Sequence, residues 1–172
     1  AIAAGCPVIV KPAEATPLSC LDLVALVREA GLPEAWCQTL ITADTALAER
    51  LATDPRIAFL SFIGSARVGW YLHSRLAPGV RSALEHGGAA PAIVDRSADL
   101  DALIEPVVKG AFYHAGQVCV STQRLYVHDA VFDVVTERLV ARVAALRTGD
   151  PTREDTEVGP LIRGREADRV EA

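Results

Sequence analysis

Residues 57–69, with the sequence IAFLSFIGSARVG, predict a strand, a tight turn and a helix in immediate succession. The first residues are apolar and bulky, which predicts a buried strand over 57–62. Gly64 and Ser65 form the turn, and helical spacing continues over 65–76. Such a turn presents backbone N–H groups and the positive end of a helix dipole to a phosphate, and Ser65 adds a hydroxyl. A plain connection between strand and helix is the alternative interpretation.

The same succession recurs on both sides of this stretch. Further strands are predicted at residues 7–10, 36–41, 80–84, 91–94 and 125–128, and further helices at residues 18–30, 45–53, 100–114 and 131–146. Strands that alternate with helices predict βαβ units, a mostly parallel sheet and the α/β class. Gly87 and Gly88 interrupt the pattern, so we place a domain boundary there, between residues 1–86 and residues 87–172.

Composition and charge exclude several classes of protein. The chain has 172 residues, of which 51% are hydrophobic, and a formal net charge of −5. This apolar content excludes a disordered chain. Lysine occurs only at Lys11 and Lys109, and the absence of a basic run argues against nucleic acid as a partner. No apolar run approaches the roughly 18 residues of a membrane span, so we expect no membrane partner.

Four cysteines show neither a CxxC pair nor the spacing of metal ligands. This usage indicates reduced thiols in a cytoplasmic protein and no metal site. Cys6 and Cys37 lie in or beside predicted strands, and we interpret both as inert packing residues. The chain starts without Met in an apolar run and ends inside a helix-like pattern, so we expect a piece of a longer protein.

Lys11 and Glu14 follow the first predicted strand. Sheets of this kind bind ligands beyond the carboxyl ends of their strands. An ammonium and a carboxylate three residues apart are suited to hydrogen bonds with a ribose. A surface ion pair is the alternative.

Glu85 stands beside Gly87 and Gly88 at the predicted boundary. A carboxylate partly buried at the mouth of a cleft is suited to act as a general base. A capping or solvated glutamate explains the residue equally well. The neighbouring His86 is in a position to couple to it, although a lone histidine is more often structural.

Cys119 lies on a glycine-containing break after a predicted helix. Helix-terminal N–H groups near such a break favour the thiolate form that a nucleophile needs. A buried structural cysteine is the alternative. A cysteine–histidine hydrolase pair with His114 lacks an evident third group to orient the histidine.

These segments together resemble the central part of the NAD(P)-dependent aldehyde dehydrogenases. The resemblance covers essentially the whole chain, with the segments in the family's order and approximate spacing. The segments are VKPAEATP (10–17), FIGSARVG (62–69), LEHGG (84–88), GQVC (116–119) and DTEVGPL (155–161). The implied fold is a Rossmann-like parallel sheet over residues 1–86, followed by the start of a catalytic α/β domain over residues 87–172.

The resemblance implies a role for each candidate residue. Cys119 attacks the aldehyde to give a thiohemiacetal that becomes a thioester, and its backbone N–H is half of the oxyanion hole. Glu85 activates the water that hydrolyses the thioester. The implied cofactor site holds the adenosine ribose at Lys11 and Glu14 and the pyrophosphate at Ser65, and it includes Gly64 and Gly87. Glu14 favours NAD because a 2′-phosphate would face a carboxylate, while Lys11 leaves NADP as the alternative.

The chain departs from the family pattern in two ways. His86 stands where Leu is commoner in the general-base segment. The family's Asn donor to the oxyanion hole and its Glu-x-Phe-Gly-Pro segment have no counterpart in residues 1–172. We therefore expect the chain alone to be inactive. The resemblance implies that the complete protein is a homo-oligomer, dimer or tetramer, that oxidises a small-molecule aldehyde.

Two alternative functions remain open at this point. The first is a truncated, non-catalytic module that binds nucleotides or a protein partner and needs no reactive Cys119. The second is a CoA-acylating aldehyde dehydrogenase, in which the thioester passes to CoA. The presence of Glu85, a candidate general base, favours water over CoA as the acceptor of the acyl group.

Overall fold

The structure is a computed structural model that describes residues 1–172. The helices of more than one turn are α1 (Leu18–Glu29), α2 (Thr45–Thr53), α3 (Ala66–Ser74), α4 (Leu100–Phe112), α5 (Phe132–Ala144) and α6 (Gly164–Glu171). The strands are β1 (Val8–Val10), β2 (Cys37–Thr39), β3 (Phe59–Ile63), β4 (Arg81–Glu85), β5 (Ala90–Val94) and β6 (Thr122–Val127). The predicted α/β class is confirmed.

The strands pair in twos, as β1–β2, β3–β4 and β5–β6, instead of joining one continuous sheet. The pairs β1–β2 and β5–β6 are parallel, with Ile9 opposite Gln38 and Ala92 opposite Leu125. Parallel pairing requires a crossover connection. Helix α1 supplies it between β1 and β2, and α4 supplies it between β5 and β6.

The chain divides into two compact units. The first comprises residues 1–62 and 67–84, and the second comprises residues 63–66 and 85–172. In the first unit Val24 of α1 and Cys37 of β2 are buried. The Arg28 side chain, also on α1, donates a 3.0 Å hydrogen bond to the Cys37 carbonyl and so ties the helix to the strand.

The core of the second unit lies between its sheet and helices α4 and α5. Val94, Val108 and Val135, one from each of these elements, are buried in it. Helix α4 begins at an Asp99 cap whose carboxylate accepts hydrogen bonds from two backbone N–H groups of the first turn. Gly110 allows α4 to approach β6 closely, because a Cβ there would lie 3.1 Å from Thr122 Oγ1.

An ion network fastens the segment after α5 to the second unit. Arg142 lies 2.7 Å from Glu105 of α4 and 2.5 Å from Glu157. The hydrogen bond from Arg142 holds the pKa of Glu157 below its ordinary value, with a further contribution from the Arg147 backbone. Glu157 therefore stays charged at neutral pH, and the network persists there.

The sequence-based boundaries differ from the structure mainly around the cysteine segment. Helix α4 ends at Phe112 instead of His114, because His114 and Ala115 both take positive φ angles, 51° and 55°. Strand β6 begins at Thr122, three residues before the predicted start. Cys6 is exposed, so its interpretation as a packing residue is wrong, whereas Cys37 is buried as predicted. No helix is long and apolar enough to cross a membrane.

Candidate active site

The Gly64–Ser65 turn connects β3 to α3 and is joined to Glu85. The Gly64 N–H donates a 3.0 Å hydrogen bond to the Glu85 carbonyl oxygen. Both residues belong to the second unit. Since this N–H is used inside the chain, a phosphate at the turn would be met by the N–H groups that follow Gly64.

Glu85 is the last residue of β4, and its side chain is exposed. The expectation of a partly buried carboxylate is therefore not met in this chain. The strand end fixes the backbone of Glu85 and leaves its carboxylate open to a water molecule. That arrangement is suitable for a base that must reach water.

Gly88 brings the segment after Glu85 against the cysteine turn. A Cβ on Gly88 would lie only 3.2 Å from the Cys119 carbonyl oxygen, so a side chain there would require the two segments to shift by a few tenths of an ångström. The Gln123 side chain donates a 3.2 Å hydrogen bond to the Gly88 carbonyl and holds the same contact from β6. Gly88 of the general-base segment thus makes a close approach to the Cys119 backbone, whereas a Cβ on Gly87 would meet nothing within 4 Å.

Cys119 lies in the tight turn that precedes β6. The Ser121 N–H closes this turn by donating a 3.0 Å hydrogen bond to the Val118 carbonyl. Cys119 is exposed and free, while Ser121 is only 1% exposed and anchors the turn in the interior. The sequence alternative of a buried structural Cys119 is therefore wrong.

Gln117 fastens the cysteine turn to a distant segment of the second unit. Its Nε2 donates to the His114 carbonyl at 2.9 Å, across the left-handed residues that end at Gly116. The same nitrogen lies 3.4 Å from the Pro160 carbonyl, and Oε1 accepts a 2.9 Å hydrogen bond from the Ile162 N–H. Sequence reasoning named Gln117 only as part of a motif and missed this role.

Lys11 and Glu14 form an ion pair in the first unit. Lys11 Nζ lies 2.6 Å from Glu14 Oε1 and donates a 2.8 Å hydrogen bond to the Pro12 carbonyl. The Glu14 side chain keeps 44% of its surface exposed, and that of Lys11 keeps 25%. The pair therefore holds one donor and one acceptor together at the surface after β1, a chemistry that fits the hydroxyl groups of a ribose.

The structure brings five of the seven sequence-predicted site residues into one compact unit. These are Gly64, Ser65, Glu85, Gly87 and Cys119. Lys11 and Glu14 lie in the other unit. Short Rossmann-like strand pairs, a glycine turn before a helix and an exposed thiol turn together define an α/β protein with a candidate nucleophile.

Comparison with known proteins identifies the family. The sequence profile of the aldehyde dehydrogenase family matches residues 1–172, and the chain belongs to that family. It is 39% identical to the 3-sulfolactaldehyde dehydrogenase of Priestia megaterium over 172 residues, 99% of this chain and 36% of that protein. It is 38% identical to the NADP(+) succinate-semialdehyde dehydrogenase of Escherichia coli, again over 99% of this chain and 36% of that protein.

A solved structure has the same fold. The crystal structure of an NAD-dependent aldehyde dehydrogenase from Sinorhizobium meliloti superposes with a TM-score of 0.94 at 37% identity, over 99% of this chain and 34% of that one. The chain thus spans about a third of the length of the relatives that it matches. The predicted family and its Rossmann-like α/β fold are confirmed.

Proposed function

We propose that residues 1–172 are the central part of an enzyme that oxidises an aldehyde to a carboxylic acid with NAD, using Cys119 as nucleophile and Glu85 as general base. One observation carries the proposal: the Gly88 contact places the exposed Cys119 turn directly against the segment that bears the exposed Glu85. Relatives that are 38–39% identical to this chain and are named as dehydrogenases of an aldehyde and a semialdehyde support it.

The chemistry assigned to this chain begins with the Cys119 thiolate. Its sulfur attacks the aldehyde carbon and forms a thiohemiacetal, while the Cys119 N–H stabilises the oxyanion. Bound NAD supplies the hydride acceptor that makes the oxidation possible. Glu85 then takes a proton from water, the hydroxide attacks the resulting thioester, and the carbon–sulfur bond breaks to release the acid and the thiolate.

Two groups of residues, which precede and follow β3 in the sequence, are assigned to NAD. We assign Lys11 and Glu14 to the adenosine ribose, and Ser65 with Gly64 and Gly87 to the rest of the cofactor site. The donor and acceptor chemistry of the Lys11–Glu14 pair fits a ribose, and the turn before α3 fits a phosphate. Relatives named as NAD-dependent and as NADP-dependent both occur, so the preference for NAD rests on Glu14.

The domain division at residue 87, a cytoplasmic location and a homo-oligomeric state belong to the same proposal. The division has residues 1–86 bind the dinucleotide and residues 87–172 carry the nucleophile. Four free thiols support a reducing compartment. Gel filtration with light scattering on the full-length protein would test for the dimer or tetramer.

Replacement of Glu14 by glutamine tests the cofactor assignment. We expect the ratio of kcat/KM with NADP to that with NAD to rise about tenfold, because the amide removes a charge that opposes the 2′-phosphate and accepts a weaker hydrogen bond. Glu29→Gln, an exposed carboxylate of the same unit, is the matched control and should leave the ratio unchanged. An unchanged ratio in Glu14→Gln would remove Glu14 from the ribose site.

The function itself is tested by assaying the full-length protein that contains this chain with a panel of aldehydes, following NADH at 340 nm. We expect NAD-dependent turnover from the full-length protein and none from the 172-residue chain alone. The chain has no counterpart of the family's Asn donor to the oxyanion hole, and the loss of one such donor lowers the rate by about 10²–10³-fold. An incomplete cofactor site lowers the rate further. No turnover by the full-length protein would favour a non-catalytic nucleotide-binding module. Turnover by the chain alone that depends on Cys119 would contradict the expectation that the chain alone is inactive.

A further inference from the structure

An open pocket lies beside the cysteine turn, along one side of α4. Its volume is about 340 Å³, and it is lined by Pro106, Lys109, Gly110, Tyr113 and Val120. Pro106, Lys109 and Gly110 come from α4 at spacings of three and four and therefore share one helix face, and Tyr113 directly follows the end of α4. Val120 directly follows Cys119 in the chain, so one wall of the pocket is formed by the neighbour of the candidate nucleophile.

The lining is apolar except for two side chains. Lys109 is exposed, and its ammonium group makes no hydrogen bond or ion pair in this structure, in contrast to that of Lys11, the other lysine of the chain. The Tyr113 hydroxyl likewise has no hydrogen-bond partner, and its ring packs against that of His114. No carboxylate lines the pocket. An unpaired cation and an unused hydroxyl donor therefore lie on a mostly apolar wall.

An apolar wall that carries one cation and one hydroxyl donor is suited to a particular class of ligand. A small apolar pocket with few convergent polar groups is the usual form of a small-molecule site. A lysine ammonium supplies three donors and a full charge but no acceptor, so it complements an anion and repels a cation. The nearest acidic side chain in sequence, Glu105, is already paired with Arg142 and does not neutralise Lys109.

We propose that this pocket binds the tail of a short aldehyde that carries an anionic group at its far end. Lys109 and the Tyr113 hydroxyl donate to the anion, the apolar wall packs against the carbon chain, and the aldehyde carbon is presented to Cys119. The proposal rests on the proposed function, since it gives that reaction its substrate class. Lys109 is then a residue that determines specificity.

The first test needs no catalysis. Cys119 is alkylated with iodoacetate or with iodoacetamide, which differ in charge, and the rates are read by peptide mass spectrometry with the exposed Cys6 as internal reference. We expect the ratio of iodoacetate to iodoacetamide rates to be about tenfold higher at Cys119 than at Cys6. In Lys109→Gln the ratio should fall to that of Cys6, and Lys109→Arg should retain it.

Arg96→Gln is the matched control, because it removes one positive charge from an exposed position of the same unit outside the pocket. It should leave the ratio at Cys119 unchanged, and added salt should lower that ratio in the wild type. Equal ratios at Cys119 and Cys6 in the wild type, or a ratio in Lys109→Gln that matches the wild type, would overturn the proposal.

The second test uses the full-length protein with three aldehydes whose tails are anionic, neutral and cationic: 4-oxobutanoate, butanal and betaine aldehyde. We expect kcat/KM to be highest for 4-oxobutanoate and lowest for betaine aldehyde. Lys109→Gln should lower kcat/KM for 4-oxobutanoate about tenfold, mainly through KM, and leave butanal nearly unchanged.

The two tests distinguish a failure of the proposed anion-binding pocket from a failure of the proposed reaction. A loss that is equal for butanal and 4-oxobutanoate would mean a structural Lys109 and would overturn the proposal. If no aldehyde is oxidised but the alkylation ratio at Cys119 depends on Lys109, the anion-binding pocket stands and the proposed reaction fails.

Discussion

Cys119→Ala in the full-length protein is expected to abolish aldehyde oxidation, with a loss in kcat of at least about 10⁴-fold. The thiolate provides the only covalent attachment for the substrate in the proposed reaction, so no other side chain replaces it. Cofactor affinity should change less than about twofold, because the residues assigned to NAD lie elsewhere. Steady-state NADH production and titration of NAD by fluorescence measure the two quantities separately.

Cys6→Ala is the control for this prediction. Cys6 is also exposed and free, so it tests whether loss of any accessible thiol has the same effect. It should retain full activity, and Cys119 should react with a neutral alkylating reagent faster than Cys6 does. Turnover by Cys119→Ala would remove Cys119 from the nucleophile role, and equal thiol reactivity would favour the non-catalytic module.

Glu85→Gln is expected to slow steady-state turnover by about 10²–10⁴-fold through the hydrolysis of the thioester. The amide cannot take the proton from water, whereas formation of the thioester does not need it. Rapid mixing should therefore show a burst of about one NADH per active site, followed by a slow steady rate. The isolated acyl-enzyme should carry the added mass of the acyl group on Cys119.

Glu137→Gln provides the matched control, since Glu137 is an exposed carboxylate of the same unit on α5. Its burst and steady rates should equal those of the wild type. An undiminished steady rate in Glu85→Gln would contradict the base assignment. If free CoA then accelerated turnover and acyl-CoA accumulated, the acceptor would be CoA instead of water.

Local sequence patterns predicted most of the secondary structure. Helix α2 has the predicted bounds, and its cap is Asp44, whose carboxylate accepts from the Ala46 N–H. These features depend on residues a few positions apart, which is the range over which periodicity and capping act. The end of α4 was missed because the left-handed turn at His114 and Ala115 is fastened through Gln117 to residues far along the chain.

The candidate site likewise combines features that local sequence patterns predict with features that depend on contacts between distant residues. The motif segments identify Cys119 and Glu85 as candidate chemical groups, but the approach of their two segments depends on the contact of Gly88 with the Cys119 carbonyl, far along the chain. The pocket beside α4 was missed for a different reason. Lys109 is an isolated lysine without a motif, and only its place on the pocket wall and its lack of a partner distinguish it from a solvated side chain.

The hydrogen bonds of Gln117 to Pro160 and Ile162 span 43 and 45 residues of chain. Ribosomes add roughly 5–20 residues per second, so synthesis of the longer of these intervals takes about 2–9 s. Throughout that time a nascent polypeptide has its Cys119 already made but lacks the carbonyl and N–H that hold Gln117. The thiol therefore acquires its mature setting only after translation has passed Ile162.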